Sequence, residues 1–193
     1  MFATPARRIA VAMTALALAA VPARAQAWFF ELTPQAGATG ATGTGRATLL
    51  ISGNIMTFST FWSGLSGVTT VAHVHCCTAA PLVLPAPPAT PVPSFPGFPT
   101  GVSAGTYNTT LDLSLASSWN PAFITASGGT TAGARAALIA GLDARRAYFN
   151  IHSSAFPGGE INGFSQIVPE PSTYVLLATG LAGLAAVRRR RRA

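Results

Sequence analysis

The chain has 193 residues, 49% of them hydrophobic and only 9% charged; this gives room for one domain with a sizeable core and excludes a disordered chain. The formal net charge is +7, yet lysine is absent, and Arg7, Arg8, Arg24 and Arg188 to Arg192 crowd the two ends. Between Gln26 and Val168, Arg46, Arg135, Arg145 and Arg146 are balanced by Glu31, Asp112, Asp143 and Glu160, so the body is neutral and no nucleic-acid partner is expected.

The N-terminus carries a basic pair, Arg7-Arg8, an apolar run from Ile9 to Val21, and small residues in A-x-A spacing at Ala23, Ala25 and Ala27. That is the anatomy of a signal peptide over residues 1–25, a substrate for signal peptidase; the apolar run is short for a retained anchor, and the mature protein is expected to work outside the cytoplasm.

Short β-type runs follow. "WFFEL" (28–32) is aromatic, and "ATLLIS" (47–52) and "IMTFSTFW" (55–62) flank Gly53-Asn54, a tight hairpin signal. The small-residue stretch 33–46 between them is expected to be a flexible connection. "VTTVAHVHC" (68–76), "TYNTTLDLSL" (106–115), "AYFNIHS" (147–153) and "EINGFSQI" (160–167) supply further strands. So many short strands in one domain predict a mainly β protein, an antiparallel β-sandwich. Residues 81–99 hold eight of the fifteen prolines; lacking the N–H a ladder needs, they form a loop of polyproline character. Phe95 and Phe98 in it either present aromatic rings to a ligand or pack down onto the domain. Helical pattern is confined to a crossover: Asn120-Pro121 reads as an N-cap with proline at the first helical position, and residues 131–143 put Ala134, Ala137, Leu138, Gly141 and Leu142 on one face.

The C-terminus, "VPEPSTYVLLATGLAGLAAVRRRRRA", has an apolar helix over 174–187 and then an arginine tail, 188–192. Such a helix covers roughly 21 Å of the ~30 Å hydrocarbon core, short for a permanent span. The arginines would stay cytoplasmic and everything before Tyr174 outside. This end resembles the PEP-CTERM sorting signal of Gram-negative bacteria: Pro169-Glu170-Pro171, a short apolar helix and an arginine cluster, in that order. The resemblance implies transient anchoring in the inner membrane, removal of residues 168–193 by an exosortase, and delivery of the domain to the cell surface or an extracellular polysaccharide matrix.

Three blocks in the body, "AHVHCCTAAP" (72–81), "GVSAGTYNTTLDLSLASSWNPAFITASGGT" (101–130) and "RAYFNIHSSAFPGGEINGF" (146–164), resemble the bacterial form of the CHRD domain, named from chordin, across residues 28–167. The resemblance implies an immunoglobulin- or superoxide-dismutase-like sandwich on a secreted or surface protein, with no settled enzymatic activity. Partners would be extracellular polysaccharide or other surface proteins. Many members carry His-x-His-Gly-Pro where this chain has Cys76-Cys77, so the family gives these cysteines no role.

The chain's three histidines fall in two of those blocks. Strand alternation puts His73 and His75 on one face, and Asn150 and His152 on one face of a later strand. If Val74, Phe149 and Ile151 face the core, all three histidines share the other side, with Glu160 arriving near His152 after the 156–159 turn. They could ligate copper or zinc, imidazole-preferring ions, with Glu160 as a fourth ligand or as the group fixing a tautomer; or they could form a hydrogen-bonded network pinning two strands together. Three histidines cannot build a dismutase's bridged metal pair. Cys76 and Cys77 have four readings: a vicinal disulfide in a turn, free thiols, intermolecular pairing, or soft-metal ligands. No G-x-S-x-G elbow, phosphate loop or H-E-x-x-H helix is present, so no enzymatic activity is expected. The leading expectation is an exported, non-enzymatic surface or matrix module; the competing one is a copper or zinc or redox surface protein using His73, His75 and His152.

Overall fold

The computed structural model describes residues 25–168, with 178–182, 184 and 188–189 beyond them. Eight strands, β1 (Gln26–Pro34), β2 (Thr44–Ser52), β3 (Ile55–Ser63), β4 (Thr69–Cys76), β5 (Gly105–Asp112), β6 (Ala147–Ser153), β7 (Ile161–Phe164) and β8 (Gln166–Ile167), form one curled antiparallel sheet. Its order is β4-β6-β7-β1-β2-β3-β5, with β8 pairing β1. Most of β1 pairs with β2, while its end, Thr33 and Pro34, pairs with β7. That handover folds the sheet over itself and gives the expected sandwich-like β architecture.

Alternation fixes which side chains fill the interior. In β2 and β3 every second residue is buried, so Ala47, Leu49, Ile51, Met56, Phe58 and Trp62 point inward. Ala72, Val74, Phe149 and Ile151 answer from β4 and β6. Phe58 meets Phe149 edge-on, with ring centroids 4.8 Å apart, a favoured aromatic geometry.

The β2–β3 hairpin turns at Gly53-Asn54 as predicted: Ser52 pairs with Ile55, and Gly53 takes φ +58°. The helices α1 (Pro121–Ala126) and α2 (Thr131–Asp143) also form as read. The Asn120 side chain accepts from Ala122 N, and the Thr130 hydroxyl accepts from Gly133 N, each satisfying an orphan donor of a first turn. Helix α2 buries Ala134, Leu138, Gly141 and Leu142, and Trp28 Nε1 donates to Asp143 Oδ1 at 3.0 Å, tying its end to β1.

Several boundaries differ from those expected. The run 160–167 is two strands: β7 pairs with β6 and β8 with β1, and between them buried Ser165 donates its N–H to Ala147 O at 2.9 Å and its hydroxyl to Leu142 O at 2.8 Å. Strand β5 stops at Asp112, whose carboxylate accepts from Ser114 N and Ser114 Oγ in a local turn. The connection 33–46 is shorter than read, since β1 continues through Pro34 and β2 begins at Thr44.

The proline-rich segment lies along the outer edge of β4. Ala89 N and Thr90 N donate to Val74 O, Cys76 N donates to Pro87 O, and Phe95 N donates to Ala72 O. An edge strand is thereby covered by chain that cannot propagate the sheet. Of the two readings of its aromatics, packing is the one found: Phe95 stacks on Phe58 and Phe98 on Trp62, at 5.0 and 5.2 Å.

The signal segment, apart from residue 25, and the sorting residues Pro169, Glu170 and Pro171 lie outside the described residues. So, in large part, does the apolar segment 174–187. Among the described residues no helix is long and apolar enough to cross a membrane.

Candidate metal centre

Register brings the two histidine blocks together. Strands β4 and β6 are direct neighbours, with His73 opposite Asn150, Val74 opposite Phe149 and His75 opposite Tyr148. Directly opposed residues share a face, so burial of Val74 and Phe149 in the core sends His73, His75, Asn150 and His152 to the other side, as alternation predicts. One ring nitrogen from each of His73, His75 and His152 then lies within 4.8 Å of the other two.

Each ring is held by a main-chain carbonyl. His73 Nε2 is 2.6 Å from Pro93 O, His75 Nδ1 is 2.7 Å from Ala86 O, and His152 Nδ1 is 2.7 Å from Pro157 O. A carbonyl only accepts, so in each pair the ring nitrogen carries the proton and donates. The opposite nitrogens, His73 Nδ1, His75 Nε2 and His152 Nε2, are therefore lone pairs. Those of His73 and His152 are buried with no hydrogen-bond partner. His75 Nε2 has Asn150 Oδ1 3.0 Å away, while Asn150 Nδ2 donates to Gln35 Oε1 at 3.3 Å. Two acceptors cannot bond to each other, so Asn150 must turn its amide to serve His75 or keep it turned to serve Gln35. His75 is further fixed by stacking on Tyr148, with centroids 4.6 Å apart.

Burial dominates the electrostatics of the cluster. It pushes His73 down from 6.5 to about 4; the Pro93 carbonyl opposes this, and the neighbouring His75 and His152 add to it. Burial also lowers His75, against the pull of Ala86 O. The two rings are thus neutral at pH 7, the form a metal requires. Unfolding restores an ordinary histidine, so the unfolded chain binds protons more readily. Stability contributed by a neutral His73 is full above about 6.5 and is lost as pH falls toward about 4. Denaturation of metal-free protein at pH 7 and pH 5 is expected to give a lower unfolding free energy at pH 5; an increase on acidification would contradict the assignment.

Glu160 is not brought to this cluster. Its carboxylate, fully buried, accepts from Ser66 N and Gly67 N and from the Ser153 hydroxyl. Burial, the largest influence, pushes its pKa up, but these donors outweigh it and hold it below the ordinary value. The expected fourth ligand is instead a clamp joining the β3–β4 connection to the start of β7. The three carbonyl anchors were not legible in the sequence, although a proline-rich strap, all acceptors at its prolines, was the available clue.

Of the four cysteine readings, the structure pairs Cys76 with Cys77 in a disulfide, across a cis peptide with Cα atoms 3.0 Å apart. Alternation turns Cys76 away from His75, into the core against α2. A Cβ on Gly141 would lie 2.4 Å from Cys76 Sγ and 2.6 Å from Cys77 Sγ, which explains a glycine inside that helix. Cys76, Cys77, Pro87, Phe123 and Ala137 line an apolar hollow of about 360 Å³ there.

Two family models match the chain. The CHRD domain covers residues 28–164, and the PEP-CTERM protein-sorting motif covers residues 168–192. Neither the curated proteins nor the solved structures gave a match.

Proposed function

Since the chain belongs to the CHRD domain family and ends in a PEP-CTERM sorting motif that marks it as exported and handled by an exosortase, we propose that its mature domain is a non-enzymatic module of the cell surface or extracellular matrix. The observation that carries this reading is where the two parts meet. Strand β8 ends at Ile167, and Val168 N makes the last main-chain bond of the domain, to Ala27 O at 3.0 Å. Removal of residues 168–193 leaves every strand among the described residues 25–167 and its pairing intact, as a cargo domain released by proteolysis requires.

The acids of the body support the non-enzymatic part. Glu31 pairs with Arg46, Asp112 closes a turn, Asp143 accepts from Trp28, and Glu160 clamps two loops. Each has a structural task, leaving no pair of carboxylates poised over a cleft for acid–base work. A neutral body also suits contact with uncharged polysaccharide or with other surface proteins.

Fractionation of producing cells tests the proposal. The chain is expected at the surface or in the matrix, shortened at both ends, and a chain lacking residues 168–193 is expected to lose that surface retention. Full-length protein soluble in the cytoplasm would refute it.

A further inference from the structure

The histidine cluster goes beyond a display role. We infer that His73, His75 and His152 hold one divalent d-block cation of the imidazole-preferring kind, copper or zinc, through His73 Nδ1, His75 Nε2 and His152 Nε2, with a further position left to water or an external ligand.

Three observations point the same way. The first is the pair of orphaned nitrogens: His73 is 6% exposed, yet its Nδ1 has no partner, and neither has buried His152 Nε2. Leaving a buried acceptor unsatisfied is costly, and here two such atoms belong to a cluster in which each ring brings one nitrogen within 4.8 Å of the other two. A histidine network built only to pin strands together would pair these atoms with donors. A cation is the one partner that satisfies three convergent acceptors at once.

The second is orientation. Metal-bound histidines as a rule donate their other ring N–H to a carbonyl or carboxylate, which fixes the tautomer and the aim of the ring. All three rings do so, to Pro93 O, Ala86 O and Pro157 O. Two of those carbonyls belong to the strap over β4 and the third to the turn after β6, so the aim is set by main chain on two sides.

The third is distance. Zn–N bonds of about 2.0–2.1 Å in a tetrahedron put ligand nitrogens about 3.4 Å apart. Nitrogens already within 4.8 Å of one another reach that spacing with about 0.7 Å of movement from each ring of a pair. The donor set is all nitrogen: both cysteines are joined to each other and Glu160 is committed elsewhere. Neutral imidazoles without carboxylate or thiolate favour copper and zinc over magnesium and calcium, which take oxygen.

The test uses the whole exported protein, stripped with chelator, its disulfide intact. It is exposed separately to Zn²⁺ and Cu²⁺ and dialysed, and metal is measured against protein. Wild type is expected to retain about one equivalent of at least one ion; which ion it keeps names the occupant. The His73→Ala, His152→Ala double variant should retain none. His152→Ala alone, at the least buried of the three rings, should bind about 100-fold more weakly, at or beyond the upper end for losing a group that merely orients a ligand. Nitrogen hyperfine structure in the Cu²⁺ electron paramagnetic resonance spectrum should be present in wild type and reduced in the single variant. Wild type that keeps neither ion overturns the inference. So does a folded double variant with undiminished retention, or retention that disappears only when Cys76 and Cys77 are changed to serine. Surface display could fail its own test with any of these results, because delivery depends on residues 168–193 and metal retention on the three histidines.

Discussion

Replacing Gly163 with alanine is expected to destabilise the protein by about 3 kcal/mol or more, above the usual range for overpacking, a large part of the stability of a single domain. Gly163 pairs with Phe149 across β7 and β6, and a Cβ there would lie 2.3 Å from Glu31 O and 2.8 Å from Glu31 C. The obstacle is the main chain of β1, which no rotamer change can relieve. Strands β1 and β7 would have to part where the curled sheet passes from one layer to the other. Denaturant unfolding checks this directly; an alanine variant within about 0.5 kcal/mol of wild type would show that the strands do not approach as closely as described.

Phe149→Ala is expected to cost about 3–5 kcal/mol, the range for removing a buried phenylalanine ring. Phe149 is fully buried and meets both Phe58, at 4.8 Å, and Phe95, at 6.4 Å, so its loss leaves a cavity among side chains from three segments. Phe61, on the outer face of β3 and 52% exposed, provides the contrast: its alanine variant should stay within about 0.5 kcal/mol of wild type. Equal losses at the two positions would contradict the assignment of faces. The same alternation that buries Phe149 in the core puts Asn150 and His152 on the opposite face of the sheet, so this comparison also tests the geometry on which the metal site rests.

How much of this was legible in the sequence depended on whether the signal was local. Alternation in 47–52 and 55–62, the Gly53-Asn54 turn and the Asn120-Pro121 cap are fixed by neighbours in the chain, and they formed as read. The shared face of His73 and His75 follows from strand period alone, and the meeting with His152 needed only that Val74 and Phe149 both seek the core. What escaped depended on distant partners. Glu160 sits beside the right turn, but its carboxylate is claimed by the amides of Ser66 and Gly67, almost a hundred residues earlier. The last strand divides at Ser165 because the pairing there passes from β6 to β1. The prolines of 81–99 announced a loop; that the loop would pack along β4 and orient two histidines is a tertiary fact without a local pattern. The cysteines were open among four states for the same reason, since Gly141 makes room for the pair only once α2 has docked.

The histidine site is tested most simply by elemental analysis combined with intact mass on protein recovered from the surface of the cells that make it. About one copper or zinc per chain is expected, with a mass that lacks the signal segment and the tail from the sorting motif onward, and two hydrogens fewer than the dithiol. Surface protein that carries no metal and takes up none when Cu²⁺ or Zn²⁺ is supplied would contradict the claim that His73, His75 and His152 are a binding site.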